Sequence, residues 1–141
     1  MSLMEYSLVD THAHLDMEKF DSDRLEVIYR AKEADVRNII SVVIDLASTL
    51  SAINLSQSDE AIFATAGFHP SKAQNITQRD ITELEKLAKN PSIVAIGELG
   101  LGYYYQPVDK EARKRLMRLQ LELASKLELP VIIHCREAKD D

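Results

Sequence analysis

The sequence has little cysteine, no excess of basic residues and no long apolar run, and each shortage excludes a class of protein. The only cysteine is Cys135, so no internal disulfide can form, and a reducing compartment is the expected environment. The net charge is -6, from 17 basic and 23 acidic side chains, which argues against a protein that grips nucleic acid by bulk positive charge. No apolar run approaches the roughly 20 residues that span a bilayer. We therefore expect a cytoplasmic protein without a membrane segment.

Length and composition are typical of one globular domain. The chain has 141 residues, of which 45% are hydrophobic, and this is sufficient for a single core. Residues 1–3 precede a second methionine, Met4, and we interpret them as an expression-tag remnant. The remaining residues, 4–141, are expected to form one domain.

Short apolar segments alternate with amphipathic ones along the whole chain. β-branched and apolar runs predict five strands, and 3.6-residue periodicity predicts four helices between them. The predicted strands are 6–11, 38–44, 62–66, 93–96 and 131–134, and the predicted helices are 22–33, 48–57, 77–89 and 109–127. We expect Asp21 to cap the first helix, and Leu25, Ile28 and Tyr29 to share its apolar face. This alternation indicates successive βα units and a parallel α/β sheet.

Polar side chains follow the predicted strands at the points where these end. His12 and His14 are two residues apart, so they point to one face of the first strand. His69, Glu98 and His134 stand at or just beyond the ends of the third, fourth and fifth strands. Periodicity alone is compatible with a doubly wound sheet or with a barrel. Convergence of residues from several strands on one centre favours the (β/α)₈ barrel.

These side chains have the chemistry of a divalent-metal site. Neutral imidazole binds first-row metals, and a carboxylate can bridge two ions. Taken singly, each residue has an ordinary explanation: two solvated histidines, a loop acid at Glu98, and a hydrogen-bonded core histidine at His134. Taken together, His12, His14, Glu98 and His134 favour a metal site.

Four ordered segments of the chain resemble the signature blocks of the TatD family, metal-dependent deoxyribonucleases of the amidohydrolase superfamily. The segments are DTHAHL at 10–15, GFHP at 67–70, GELGL at 97–101 and PVIIHCREA at 130–138. The resemblance implies a TIM (β/α)₈ barrel, of which this chain carries about the first five units. It also implies two divalent metal ions (Mg, Mn or Zn), a DNA substrate, and hydrolysis of phosphodiester bonds by metal-activated water.

The resemblance also assigns roles to single residues. It implies that His12 and His14 hold the first ion, that Glu98 bridges the ions as the catalytic carboxylate, and that His134 serves the second ion. His69 and Arg136 are not ligands in the family pattern, and we expect them to approach substrate phosphate. For Arg136, a structural ion pair is an equally good explanation.

The chain departs from the family pattern in two respects. Gly102 stands where the family usually has an aspartate, and the chain is shorter than the about 250 residues of a typical barrel. The histidine expected from a sixth strand and the aspartate expected from an eighth are therefore absent. We favour a fragment over copies that complete one another, although open sheet edges would permit self-association. The alternatives are an inactive fragment or scaffold, and an amidohydrolase that acts on another ester or amide.

Three further features have competing interpretations. The basic residues Arg113, Lys114, Arg115 and Arg118 are expected to form a solvated outer helix face rather than a nucleic-acid patch. Cys135 follows an inward-facing residue, so we expect it to be buried against the outer helices rather than to act as a nucleophile or ligand. The tyrosines at 103–105 could stack on bases or serve in packing.

Overall fold

The computed structural model describes residues 7–141. The interpretation of residues 1–3 as a tag remnant, and the predicted start of the first strand at Tyr6, lie outside this range. Five strands and four helices alternate, with short 3₁₀ segments at Glu18–Phe20 and Pro70–Asn75. The strands are β1 (Leu8–Ala13), β2 (Val36–Ser41), β3 (Ile62–Ala66), β4 (Ile93–Gly102) and β5 (Val131–Arg136). The helices are α1 (Arg24–Glu33), α2 (Leu46–Ser58), α3 (Gln78–Ala88) and α4 (Lys110–Leu127).

The strands form one parallel sheet in chain order, β1-β2-β3-β4-β5. Each strand thus pairs with its neighbour in sequence, whereas a doubly wound sheet reverses its order at a switch point. Within the described residues β1 and β5 are the edges, so the sheet is a half-barrel with its helices outside. The predicted α/β barrel architecture is confirmed.

The main core lies between the sheet and helices α2 to α4. Leu84 of α3 and Leu116 and Leu123 of α4 are almost completely buried against β3 and β4. Helix α3 begins with a capping box, in which Thr77 and Asp80 each accept a hydrogen bond from the other's amide. Among the described helices none is long and apolar enough to cross a membrane.

Helix α1 differs from its prediction in start and orientation. It begins at Arg24, and Asp21 does not cap it but accepts a 2.5 Å hydrogen bond from the Arg24 guanidinium. Ile28 is buried, whereas Leu25 and Tyr29 are 77% and 59% exposed. The helix packs onto the sheet through a stripe centred on Ile28, rotated away from the expected face.

Strand β4 continues six residues beyond its predicted end at 96. Its glycines are typical of a loop, but here they permit a close approach to β5. Gly97 has φ 152°, and a Cβ there would lie 2.7 Å from the carbonyl oxygen of Ile132. Gly100 has φ 140°, and a Cβ there would overlap the carbonyl oxygen of His134. As a result Glu98 lies on a strand and is 7% exposed, not in a solvated loop.

The predicted solvent exposure of two residues is wrong. Cys135 is exposed, because no described helix covers the outer side of β5 at this position. Arg113 is 7% exposed, because its guanidinium turns inward to donate to the carbonyl oxygen of Tyr105 at 3.2 Å. The neighbouring Lys114 forms an ion pair with Asp141, whereas Arg115 and Arg118 are exposed as expected.

Candidate metal centre

The end of β1 presents two histidines to the inside of the half-barrel. The rings of His12 and His14 lie 5.2 Å apart between centroids and are nearly perpendicular. Nδ1 of His14 lies 2.7 Å from the carbonyl oxygen of Val42. A carbonyl can only accept, so Nδ1 carries the proton and Nε2 keeps a free lone pair. This is the arrangement usual for a metal-binding histidine, whose second nitrogen is fixed by a backbone acceptor.

Glu98 lies between the histidines of β1 and that of β5. Its Oε2 is 3.6 Å from Nε2 of His12 and 3.9 Å from Nε2 of His14. Its Oε1 is 2.5 Å from Nδ1 of His134. Thus Oε2 of this buried carboxylate faces the imidazoles of His12 and His14, whereas Oε1 faces that of His134. This is the geometry required of a bridging ligand.

His69 follows β3 and packs edge-on against His134, with 4.4 Å between ring centroids. Its Nδ1 accepts a 3.1 Å hydrogen bond from the amide of Ser71, so the proton of the neutral ring resides on Nε2. Burial and the nearby His134 together lower the pKa of His69 to about 4, although Glu98 opposes the shift. His69 is thus a neutral hydrogen-bond donor at neutral pH.

Two groups of side chains offer atoms close enough to share an ion. One is His12, His14 and Glu98, the other is His69, Glu98 and His134, and the ligand atoms of each group lie within 4.8 Å of one another. Imidazole and carboxylate donors suit Zn²⁺ and Mn²⁺, so this donor set fits a divalent metal. The structure brings together all four residues that we expected as ligands, and it adds His69 beside them.

Arg136 is not a member of either group. Its guanidinium carbon is 3.6 Å from the ring centroid of Tyr104 and 5.4 Å from that of Tyr105. Within residues 7–141 Arg136 forms no salt bridge, so the ion-pair explanation receives no support from the structure.

Two supporting residues were missed from the sequence. The hydroxyl of Thr65 donates to the carbonyl oxygen of Gly97 at 2.6 Å and accepts from the amide of Val43 at 3.2 Å, which joins β3, β4 and the segment after β2 next to Glu98. The side chain of Gln120 bonds both the amide and the carbonyl oxygen of Phe68, at 2.7 and 3.0 Å, and so holds the residue before His69. The signal for Gln120 was a polar residue within the leucine stripe of α4.

Comparisons with known proteins show the family that this chain resembles. The family model for TatD related DNase matches residues 9–141. The chain is 39% identical over 134 residues to the uncharacterized metal-dependent hydrolase YabD of Bacillus subtilis, covering 95% of this chain and 52% of that protein. It is 35% identical over 134 residues to the 3'-5' ssDNA/RNA exonuclease TatD of Erwinia tasmaniensis, covering 94% of this chain and 52% of that protein.

A solved structure agrees in fold. The crystal structure of YJJV, a TatD homolog from Escherichia coli K12, superposes with a TM-score of 0.88 and 28% identity, over 94% of this chain and 52% of that one. The chain spans about half the length of the curated relatives it matches. Because the family model matches almost the whole sequence and the predicted ligands meet in space, the chain belongs to the TatD related DNase family.

Proposed function

We propose that this chain carries metal-ligand residues of a hydrolase that cleaves phosphodiester bonds in single-stranded DNA. The observation that carries the proposal is the orientation of Glu98, whose two oxygens face different imidazole groups. A carboxylate so placed can serve two ions at once, which is the arrangement of two-metal phosphodiesterases. The exonuclease name of the Erwinia relative supports DNA as the substrate class.

The proposed ligands of the first ion are His12, His14 and Glu98, and those of the second are Glu98 and His134. Two divalent ions, Mg²⁺, Mn²⁺ or Zn²⁺, would polarise the phosphoryl oxygen and lower the pKa of a water molecule. The Val42 carbonyl orients His14 for this task, since it fixes the ring tautomer.

His69 and Arg136 are proposed to contact the substrate. The Nε2–H of neutral His69 is available as a donor to a phosphate oxygen, because Nδ1 is occupied by the Ser71 amide. Its proton on Nε2 also argues against a role as a metal ligand. Arg136 retains a permanent positive charge near the same edge of the sheet.

The sheet edges support an additional proposal, that copies of the chain self-associate. Leu8 and Val9 on β1 are 56% and 52% exposed, and Ile133 on β5 is 50% exposed. Unpaired strands with apolar side chains favour association. This observation also favours the alternative function, an inactive scaffold, and light scattering on the purified chain would measure the association.

We further propose a cytoplasmic location, since the exposed thiol of Cys135 suits a reducing compartment.

The experiment that tests the function is degradation of a single-stranded oligonucleotide with Mg²⁺ or Mn²⁺ and with EDTA. We expect metal-dependent cleavage that Glu98→Gln and His134→Ala abolish. Glu60→Gln, at an exposed glutamate outside the site, is the matched control and should retain full activity. Cleavage that persists in Glu98→Gln would contradict the proposed site. Metal binding without cleavage would favour the scaffold, and metal-dependent hydrolysis of aryl esters alone would favour a different amidohydrolase activity.

A further inference from the structure

A cluster of one arginine and two exposed tyrosines stands at the carboxyl ends of β4 and β5. The guanidinium of Arg136 lies against the ring of Tyr104, and the rings of Tyr104 and Tyr105 meet edge to face, 4.9 Å apart between centroids. Tyr104 is 48% exposed and Tyr105 is 61% exposed. Such adjacent, exposed aromatic rings do not contribute to the core of the described residues.

The cluster is next to the candidate metal centre. Arg136 is two residues beyond His134 on β5, so both side chains point to the same face, with their Cα atoms about 7 Å apart. Gly102 pairs with Arg136, and the amide of Tyr103 donates to the carbonyl oxygen of Arg136 at 2.8 Å. The tyrosines therefore follow directly after β4, at the end of the strand that lies beside the candidate metal centre.

Two hydrogen bonds and a cation–π contact hold the segment that carries the tyrosines in place. The buried guanidinium of Arg113 donates to the carbonyl oxygen of Tyr105 at 3.2 Å. The side-chain Nε2 of Gln106 donates to the carbonyl oxygen of Tyr103 at 3.4 Å, and the ammonium of Lys110 lies 4.4 Å from the centre of the Tyr103 ring. A buried arginine is thus used to anchor the backbone of an exposed tyrosine. The two outer rings are in this way pre-organised for a ligand.

We propose that Tyr104, Tyr105 and Arg136 form a stacking platform for an unpaired nucleobase of the substrate. This inference rests on the proposed function, and it specifies how the substrate is selected. Aromatic rings and guanidinium planes accept any base through its π-face, which favours single strands, whose bases are free to unstack, without strict sequence preference. Because Arg136 lies two residues beyond His134 on β5, a base held there would lie beside a proposed ligand of the second ion.

The test compares two short phosphorothioate-linked oligomers, one of thymidine and one of abasic tetrahydrofuran units, in the presence of Mn²⁺. Fluorescence anisotropy measures the affinity of the full chain for each. We expect the thymidine oligomer to bind about tenfold or more tightly than the abasic one. The double variant Tyr104→Ala/Tyr105→Ala should lose this preference and keep its affinity for the abasic oligomer. Tyr105→Phe should retain the preference, since it keeps the ring.

The matched control is Tyr29→Ala, at an exposed tyrosine on α1 that belongs neither to the cluster nor to the proposed ligands, which should leave both affinities unchanged. Circular dichroism confirms that each variant is folded, and a Mn²⁺ titration is run alongside. Equal binding of both oligomers by the wild type, or a preference that survives in the double variant, would overturn the platform alone. Mn²⁺ binding with no affinity for either oligomer would overturn the proposed function and the platform with it.

Discussion

Gly102 lies directly against the imidazole of His134: a Cβ at position 102 would come within 2.9 Å of Nε2 and 3.1 Å of Cδ2. A side chain at this position, including the aspartate that the family resemblance led us to expect, would therefore require His134 to adopt a different orientation. In this chain the glycine allows His134 to donate to Glu98 while its other nitrogen faces Gly102.

The first prediction concerns Gly102→Ala. The new methyl group meets the end of a side chain, so the ring of His134 should turn while the backbone remains as it is. We expect Mn²⁺ affinity to fall, with the free energy of unfolding lowered by less than about 1 kcal/mol. Isothermal titration calorimetry and urea unfolding measure the two effects.

Gly100→Ala provides the contrast, because its Cβ would overlap the backbone of His134 at a φ of 140°. Here we expect the free energy of unfolding to drop by about 2–4 kcal/mol. Equal effects of the two substitutions would contradict the described packing of β4 on β5.

The second prediction concerns Gln120, which is fully buried and bonds both polar atoms of the Phe68 backbone. Gln120→Leu leaves that amide and carbonyl without partners, so the free energy of unfolding should fall by about 2–3 kcal/mol. Gln57→Leu, at an exposed position of α2, is the control and should change it by less than about 0.5 kcal/mol. Urea unfolding curves measure both, and similar values would show that Gln120 does not support the site.

The third prediction is a pH dependence of stability in the metal-free protein. Burial lowers the pKa of His69 from 6.5 to about 4, so between these values the unfolded chain binds more protons than the folded one. The contribution of His69 to the free energy of unfolding should thus be fully present above pH 6.5 and should decrease as the pH falls towards 4. Because His69 is only partly buried, we expect this residue to account for about 1–2 kcal/mol.

His69→Gln should flatten that part of the profile, as measured by urea unfolding in EDTA between pH 4.5 and 7.5. An NMR titration of the His69 ring provides a direct check. A midpoint near 6.5 in the folded protein would contradict the described burial.

Much of the fold was predictable from local pattern. The strand at 62–66 and the leucine stripe of α4 were recognised because apolar periodicity reports directly on burial. The C-terminal half of β4 was not, because glycines such as Gly97 and Gly100 are more typical of loops than of strands. Only the approach of β5, which is distant in sequence, explains them.

The site was predictable in identity but not in arrangement. His12 and His14 share a face by strand geometry alone, and motif resemblance added Glu98 and His134. The sequence does not contain the information that Oε1 and Oε2 of Glu98 face different imidazoles, because this depends on how β1 and β5 curve around β4. The inward turn of Arg113 was missed for a similar reason, since a basic residue on a helix is usually solvated.

The most direct test of the proposed metal centre is a calorimetric titration of Mn²⁺ into the wild type, Glu98→Gln and Glu60→Gln. The wild type and Glu60→Gln should bind Mn²⁺ alike. Glu98→Gln keeps the size of the side chain but removes the charge shared by both imidazole groups, so its affinity should fall at least about 100-fold. Undiminished Mn²⁺ binding by Glu98→Gln would contradict the assignment of Glu98 as the residue on which the metal centre depends.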